Sequence, residues 1–193
     1  MSDATVVPKD VLEAAKGKDV DIVLDMNGYK WTINGNNIQA DNLKDINLSV
    51  DTDSDAIPDD VISISELAGN NPVKQISLAY SGDFGFKASL TYNIGSEYAG
   101  KYGNLYYYDS TGRMIFQNAG AIDADGNISL NFSHASEYAV VIADYAVTTD
   151  NADNTATGGI ATGDSTPIAL YAVLCVMAIA LAGIAAVTRK KNV

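Results

Sequence analysis

The sequence predicts a mainly β chain, an antiparallel, sandwich-like extracellular domain followed by a single C-terminal transmembrane helix. Three observations predict it. Residues 19–145 alternate apolar and polar types in short runs, punctuated by Asn-Gly, Asp-Gly and related turn pairs. The twenty residues 168–187 are uncharged and almost wholly apolar. Charge divides the two regions: three of the 12 Lys and Arg are Arg189, Lys190 and Lys191, and none of the 24 Asp and Glu lies beyond Asp164.

Residues 1–17 are expected to be a lead-in with a short helix over 8–16. Val11, Leu12 and Ala15 are spaced for one helical face there, and Gly17 follows as a stop. The β domain is placed at 18–146. Its first strand starts at the alternating residues 19–24, and Asn27-Gly28 is hairpin-turn chemistry leading into 29–33. Asn34-Gly35 reads as a second such turn before Ile38. Residues 46–50, 75–80 and 84–92 read as further strands. In the last of these Phe84, Phe86, Ala88, Leu90 and Tyr92 share one face, while Lys87, Ser89 and Thr91 face solvent. A meander follows: 104–108 turns at Asp109-Ser110-Thr111-Gly112 into 114–116, and 121–122 turns at Asp125-Gly126 into 128–132. Residues 138–145 close the domain. Short strands with a turn every 8–12 residues or so are the signature of an antiparallel sandwich. A small-residue linker (147–166), a membrane helix (167–188) and a basic tail (189–193) complete the chain.

As a helix rising about 1.5 Å per residue, the apolar run spans about 30 Å, the hydrocarbon thickness of a bilayer. Such a helix satisfies every backbone group internally, as lipid requires. Pro167 suits its first turn. The Arg-Lys-Lys tail places that end in the cytoplasm and the acidic body outside, a single-pass arrangement with the lipid bilayer as partner. Residues 1–20 contain no apolar core or basic start of an export signal. The expectation is therefore a C-terminal piece of a longer exported protein. Cys175 is the sole cysteine and lies in the apolar run, so the body has no disulfide and no thiolate metal site. With no basic stripe, the body is not a nucleic-acid binder.

Thr162-Gly163-Asp164, then Pro167, the apolar run and the basic tail resemble the cell-wall sorting signal of Gram-positive surface proteins. That resemblance implies a sortase cutting between Thr162 and Gly163 and joining Thr162 to peptidoglycan, so localisation extends to the cell wall. The chain departs from the family's LPxTG pentapeptide at Gly159 and Ile160, where the family has Leu and Pro. Thr157-Gly158 is a second candidate, and a plain membrane tether is the alternative. Residues 29–35, 82–112 and 122–142 are also similar to a module of clostridial surface proteins. That similarity implies an extracellular β domain placed before an anchor and carries no catalytic residue.

Two groups of side chains are candidates for ligand chemistry. Asp51, Asp53, Asp55 and Asp59 alternate in a way that supplies oxygen ligands to calcium, and the run resembles the calcium loop of thrombospondin type 3 repeats. Ala56 replaces the glycine such a loop turns on, so an acidic surface loop is the competing reading. Asp123, Asp125 and Asn127 form a second oxygen-rich cluster, already explained as a turn. Trp31, Tyr106 and Tyr108 are candidates for stacking on a polysaccharide, although strand alternation also sends aromatics into a core and turns Tyr107 away from its two neighbours. His134 is the sole histidine, and no phosphate loop, dinucleotide fingerprint or nucleophile elbow is present. The expected function is a non-catalytic stalk or interaction domain at the cell surface. The rivals are a carbohydrate-binding module and a calcium-stabilised adhesin that meets polysaccharide or a host ligand.

Overall fold

A computed structural model describes residues 5–64 and 68–148. The expected linker from residue 149 onward, the membrane helix, the basic tail and the Thr162-Gly163 pair lie outside the described residues. Among the described residues no helix is long and apolar enough to cross a membrane.

The architecture is mainly β and antiparallel throughout. In chain order it comprises β1 (Val6–Val7), α1 (Lys9–Ala15), β2 (Asp21–Met26), β3 (Tyr29–Asn34), β4 (Ile46–Asn47), β5 (Val50–Asp51), α2 (Asp59–Ile64), β6 (Val73–Asn93), β7 (Tyr102–Tyr108), β8 (Met114–Ala121) and β9 (Asn127–Ala143). One sheet carries the order β2-β3-β6-β9-β7-β8, with β5 also on β6, while β1 and β4 form a separate pair.

The β2–β3 hairpin follows directly from its sequence. Met26 pairs with Tyr29 around the two-residue Asn27-Gly28 turn, and Gly28 takes a φ of 94°, which an L side chain rarely adopts. The helix α1 also forms where its apolar spacing predicts. Leu12 is fully buried in the main core, so the helix belongs to the domain and is not a detached lead-in. Asn34-Gly35 behaves differently from expectation. The Asn34 side chain accepts the Asn36 N–H at 3.0 Å and winds residues 35–37 into a 3-10 turn, leaving Ile38 to make a single bridge to Phe86. The acidic run after Pro58 likewise forms α2, with Asp59 and Asp60 in its first turn, where carboxylates favour a helix.

The largest departure concerns β6 and β9. Residues 75–80 and 84–92 are one 21-residue strand, and 128–132 and 138–143 fall within one 17-residue strand. Their ladder is irregular twice. Residues 78–81 stand opposite Ser136 alone, and residues 84–87 opposite Ser133 alone. Extra residues of this kind bend and twist a strand. Each strand therefore serves two halves. The β3 strand lies against residues 89–92 of β6 and β5 against residues 77–78, while β7 lies against residues 138–143 of β9. Both halves contribute residues to the main core, consistent with a sandwich-like domain.

Trp31 occupies that core. It has no exposed surface, its Nε1 donates to the Leu48 carbonyl at 2.8 Å, and its ring meets Phe84 and Phe132 edge-on at 6.4 and 5.5 Å. Phe132 passes the contact to Tyr138 at 4.9 Å in the other half. A smaller cluster of Ala68, Tyr106 and Val141, flanked by Val73, Met114 and Phe116, packs separately from this core.

Truncating Trp31 to alanine removes the largest ring of the core and its hydrogen bond. Urea denaturation is expected to show a loss of about 3–5 kcal/mol. Val23→Ala, at a site 54% exposed, is expected to change stability by less than about 0.5 kcal/mol. Equal losses in the two variants would contradict this placement of the core.

Candidate functional site

Polar side chains of the outer sheet face line a concavity of this domain. Thr32 of β3 stands opposite Ser89 of β6, and Ser89 opposite Asn131 of β9, so the three side chains form one rank. Lys87 precedes Ser89 by one same-face step and is exposed, as its alternation predicts. Asn34 and Asn37 approach from the end of β3. The opposite wall is β8, fastened by Asn118, whose amide donates to the Asn131 carbonyl at 2.7 Å and whose oxygen accepts the Asn131 N–H at 3.0 Å. Together with Gln117 these residues line a groove of about 480 Å³.

The groove is chemically uneven. Asn34 is committed to Asp19 and Asp21, and Gln117 to the carbonyls of Ile115 and Phe116. Among the described residues, the Thr32 and Ser89 hydroxyls, the side-chain amides of Asn37 and Asn131, and the Lys87 ammonium have no intramolecular hydrogen bond. Several neutral donors and acceptors and one cation are thus free to meet a polar ligand. Sequence reasoning missed this site because its residues come from four segments joined only by sheet register.

The stacking candidates are placed differently from that expectation. Trp31 and Tyr106 are buried, at 0% and 2% exposure, and a ligand cannot stack on a ring without reaching it. Trp31 belongs to the main core and Tyr106 to the smaller cluster, where Phe116 meets it edge-on at 5.6 Å. Tyr108 is half-buried near the β7–β8 turn. Tyr107 does point away from Tyr106, packing on the main core.

Asp51, Asp53, Asp55 and Asp59 are all exposed. Asp51 Oδ1 accepts the Asp53 N–H at 3.0 Å, Ser54 Oγ accepts the Ala56 N–H at 3.2 Å, and Gln75 clamps the Ile57 backbone in both directions. The loop is shaped by these bonds. Among the described residues no three His, Cys, Asp or Glu side chains are gathered where they could share a metal ion. In the second acidic cluster, Asp123 accepts the N–H groups of Asp125 and Asn127 and the Asn127 amide. Those bonds, from Asn127 first, hold its carboxyl below the ordinary range.

His134 lies edge-on to Tyr107 at 4.5 Å, and its Nε2 is buried without a hydrogen-bond partner. Burial lowers its pKa, against a smaller opposing effect of Asp83. Among the described residues no side chain is hydrogen-bonded to the ring. Tyr138 donates instead to the His134 backbone carbonyl at 2.7 Å, which fixes the strand where its pairing is irregular.

No family model, no curated protein and no solved structure matches this chain.

Since the carboxylates of residues 51–59 do not converge, millimolar calcium is expected to leave the melting temperature unchanged in differential scanning calorimetry. A ligand that binds only the folded state must raise that temperature. A calcium-dependent rise abolished by Asp53→Asn would restore the calcium-loop reading.

Proposed function

We propose that this chain is a non-catalytic surface module, a stalk or interaction domain held to a membrane or cell wall by its C-terminal segment. One observation carries the reading: the uncharged run 168–187 ends in Arg189, Lys190 and Lys191 and follows an acidic, β-rich domain. The run has the length of a bilayer core, and the basic end stays in the cytoplasm. The domain then faces outward, and its acidity keeps it soluble there. Thr162-Gly163 is the point at which a sortase would transfer the domain to peptidoglycan. The groove on the sheet face, lined by amides and hydroxyls with Lys87 beside them, offers an interaction domain a polar surface for a partner.

That groove favours a second reading, a carbohydrate-binding module whose ligand is held by hydrogen bonds and not by stacking. Amide and hydroxyl side chains in a concave sheet match the donors and acceptors of a neutral sugar.

The anchor is tested by expressing the full chain in a Gram-positive host behind an export signal. The protein is expected in the membrane fraction and accessible to external protease, and Leu174→Arg with Ile179→Arg is expected to release it. Release of the unaltered chain without any membrane stage would sink the anchor. Retention in the membrane with no sortase-dependent transfer would remove only the wall-linked form.

The sugar-binding reading is tested on immobilised polysaccharides. Retarded elution of the full chain in detergent micelles, lost on Asn131→Ala and Lys87→Ala, is expected. Elution at the position of the double variant on every matrix would exclude it.

A further inference from the structure

The sheet ends at β2, and this edge differs from the other end of the sheet. Around a two-residue hairpin turn the flanking residues exchange both backbone hydrogen bonds, and the next pair exchanges none. Met26, Leu24 and Ile22 therefore bond to Tyr29, Trp31 and Ile33. The N–H and C=O groups of Asp21, Val23 and Asp25 point the other way, outward from the sheet. Among the described residues nothing accepts from or donates to them. At the opposite end of the sheet, β8 is blunted by Gln117, whose amide occupies the carbonyls of Ile115 and Phe116.

Beside the open β2 edge lies an apolar groove of about 260 Å³, lined chiefly by Val6, Pro8, Val11, Ile22, Leu24 and Met26. Among the described residues, four of the six exposed large hydrophobic side chains, Val6, Val11, Val20 and Val23, adjoin the same edge. Single exposed apolar residues are ordinary, whereas their concentration beside an unpaired strand marks an interaction surface.

Charge selects the occupant. Asp21 and Asp25 flank Val23 on the outer face, both exposed, with Asp10 and Glu13 of α1 also exposed nearby in the chain. Lys9 pairs with Glu13 at 3.3 Å, Lys30 is opposite Asp25 in the register of β3, and Asp21 accepts the Asn34 amide at 2.9 Å. A second copy of this chain fits badly. Two β2 strands paired antiparallel about Val23 would set Asp21 of one copy against Asp25 of the other, and like charges directly opposite destabilise a sheet.

We propose that the β2 edge is a docking site for an extended segment of another protein, added as a further antiparallel strand. Its sequence would alternate so that lysine or arginine faces Asp21 and Asp25, with apolar residues facing Val23, Ile22 and Leu24. Main-chain bonds to Asp21, Val23 and Asp25 supply affinity, and the aspartates and the groove supply selectivity. The inference rests on the interaction-domain part of the proposed function and is independent of the anchor.

The test uses the full chain in detergent micelles and a fluorescent peptide with the core lysine-isoleucine-valine-isoleucine-lysine, read by anisotropy. A peptide with glutamate in both lysine positions is the control. The lysine peptide is expected to bind and the glutamate peptide not to. Val23→Pro removes one outward N–H and leaves the β2–β3 ladder whole, so binding is expected to weaken about tenfold. Should that variant melt early, Asp21→Lys with Asp25→Lys decides, because it inverts two exposed charges, giving up only the Asn34 bond to Asp21 while Asn34 keeps Asp19, and is expected to reverse the peptide preference. Binding untouched by both variants, or no binding, overturns the proposal. Self-association captured by crosslinking Val23→Cys, without peptide binding, assigns the edge to a second copy instead. Membrane fractionation reads the anchor separately, so the two failures are distinguishable.

Discussion

Everything in this domain hangs on the pairing of β6 with β9. The ladder holds thirteen register pairs, from Val73 against Val141 to Asn93 against Asn127. Strands β3 and β5 attach to the far edge of β6, and β7 to the far edge of β9. The two irregular stretches let one ladder serve both halves of the fold. Despite them, β6 keeps one inward parity: Ile76, Leu78, Phe84, Phe86, Ala88, Leu90 and Tyr92 are all buried. Glycine makes the bend feasible. Gly82 and Gly85 have φ values of 106° and 76°, and a Cβ on Gly85 would sit 2.5 Å from that of Ala40.

The acidity of the body has a structural use that composition alone conceals. Asp83 accepts the Gly85 N–H at 2.7 Å, and Asp45 accepts the Lys9 N–H at 2.7 Å. Asp109 accepts from the Thr111 hydroxyl and from the N–H groups of Thr111 and Arg113, which hold its pKa down to about 2. These carboxylates close turns and satisfy backbone donors. With so many engaged this way, the uncharged rank of Thr32, Ser89 and Asn131 becomes the distinctive surface, beside the unblunted edge of β2.

Local patterns were legible and long-range ones were not. The β2–β3 hairpin and α1 could be found because Asn27-Gly28, Gly17 and the spacing of Leu12 and Ala15 encode them within a few residues. Ser81-Gly82-Asp83 also looks like a break between two strands by the same local logic. In the fold, pairing with β9 overrides it and the strand continues. The buried state of Tyr106 was hidden for a related reason. Alternation separates Tyr106 from Tyr107 correctly, but only the second cluster with Ala68, Val141 and Phe116 makes both faces of β7 interior. The polar groove was illegible because its members are up to about a hundred residues apart in sequence and meet only through register. The uncharged run 168–187, in contrast, is a property of composition over twenty contiguous residues, the kind of signal a sequence states openly.

The position of β9 between β6 and β7 has a mechanical consequence. Along residues 138–141 it is bonded on both sides, and beyond it Asn104 fastens the exit by donating to the Tyr145 carbonyl and accepting the Val147 N–H. A pull on the chain beyond residue 148 first loads the Asn104 clasp and then draws β9 lengthwise between its neighbours. Ladder bonds lie perpendicular to the strands, so such a load shears many of them together and does not peel them one by one. The opposite end is held by fewer bonds: among the described residues β1 is tied to β4 by two register pairs, with the Leu48 N–H on the Thr5 carbonyl and the Lys9 N–H on Asp45 beside them. Under tension the domain would yield from its amino-terminal side, while the strand nearest the C-terminal segment is the last to give way.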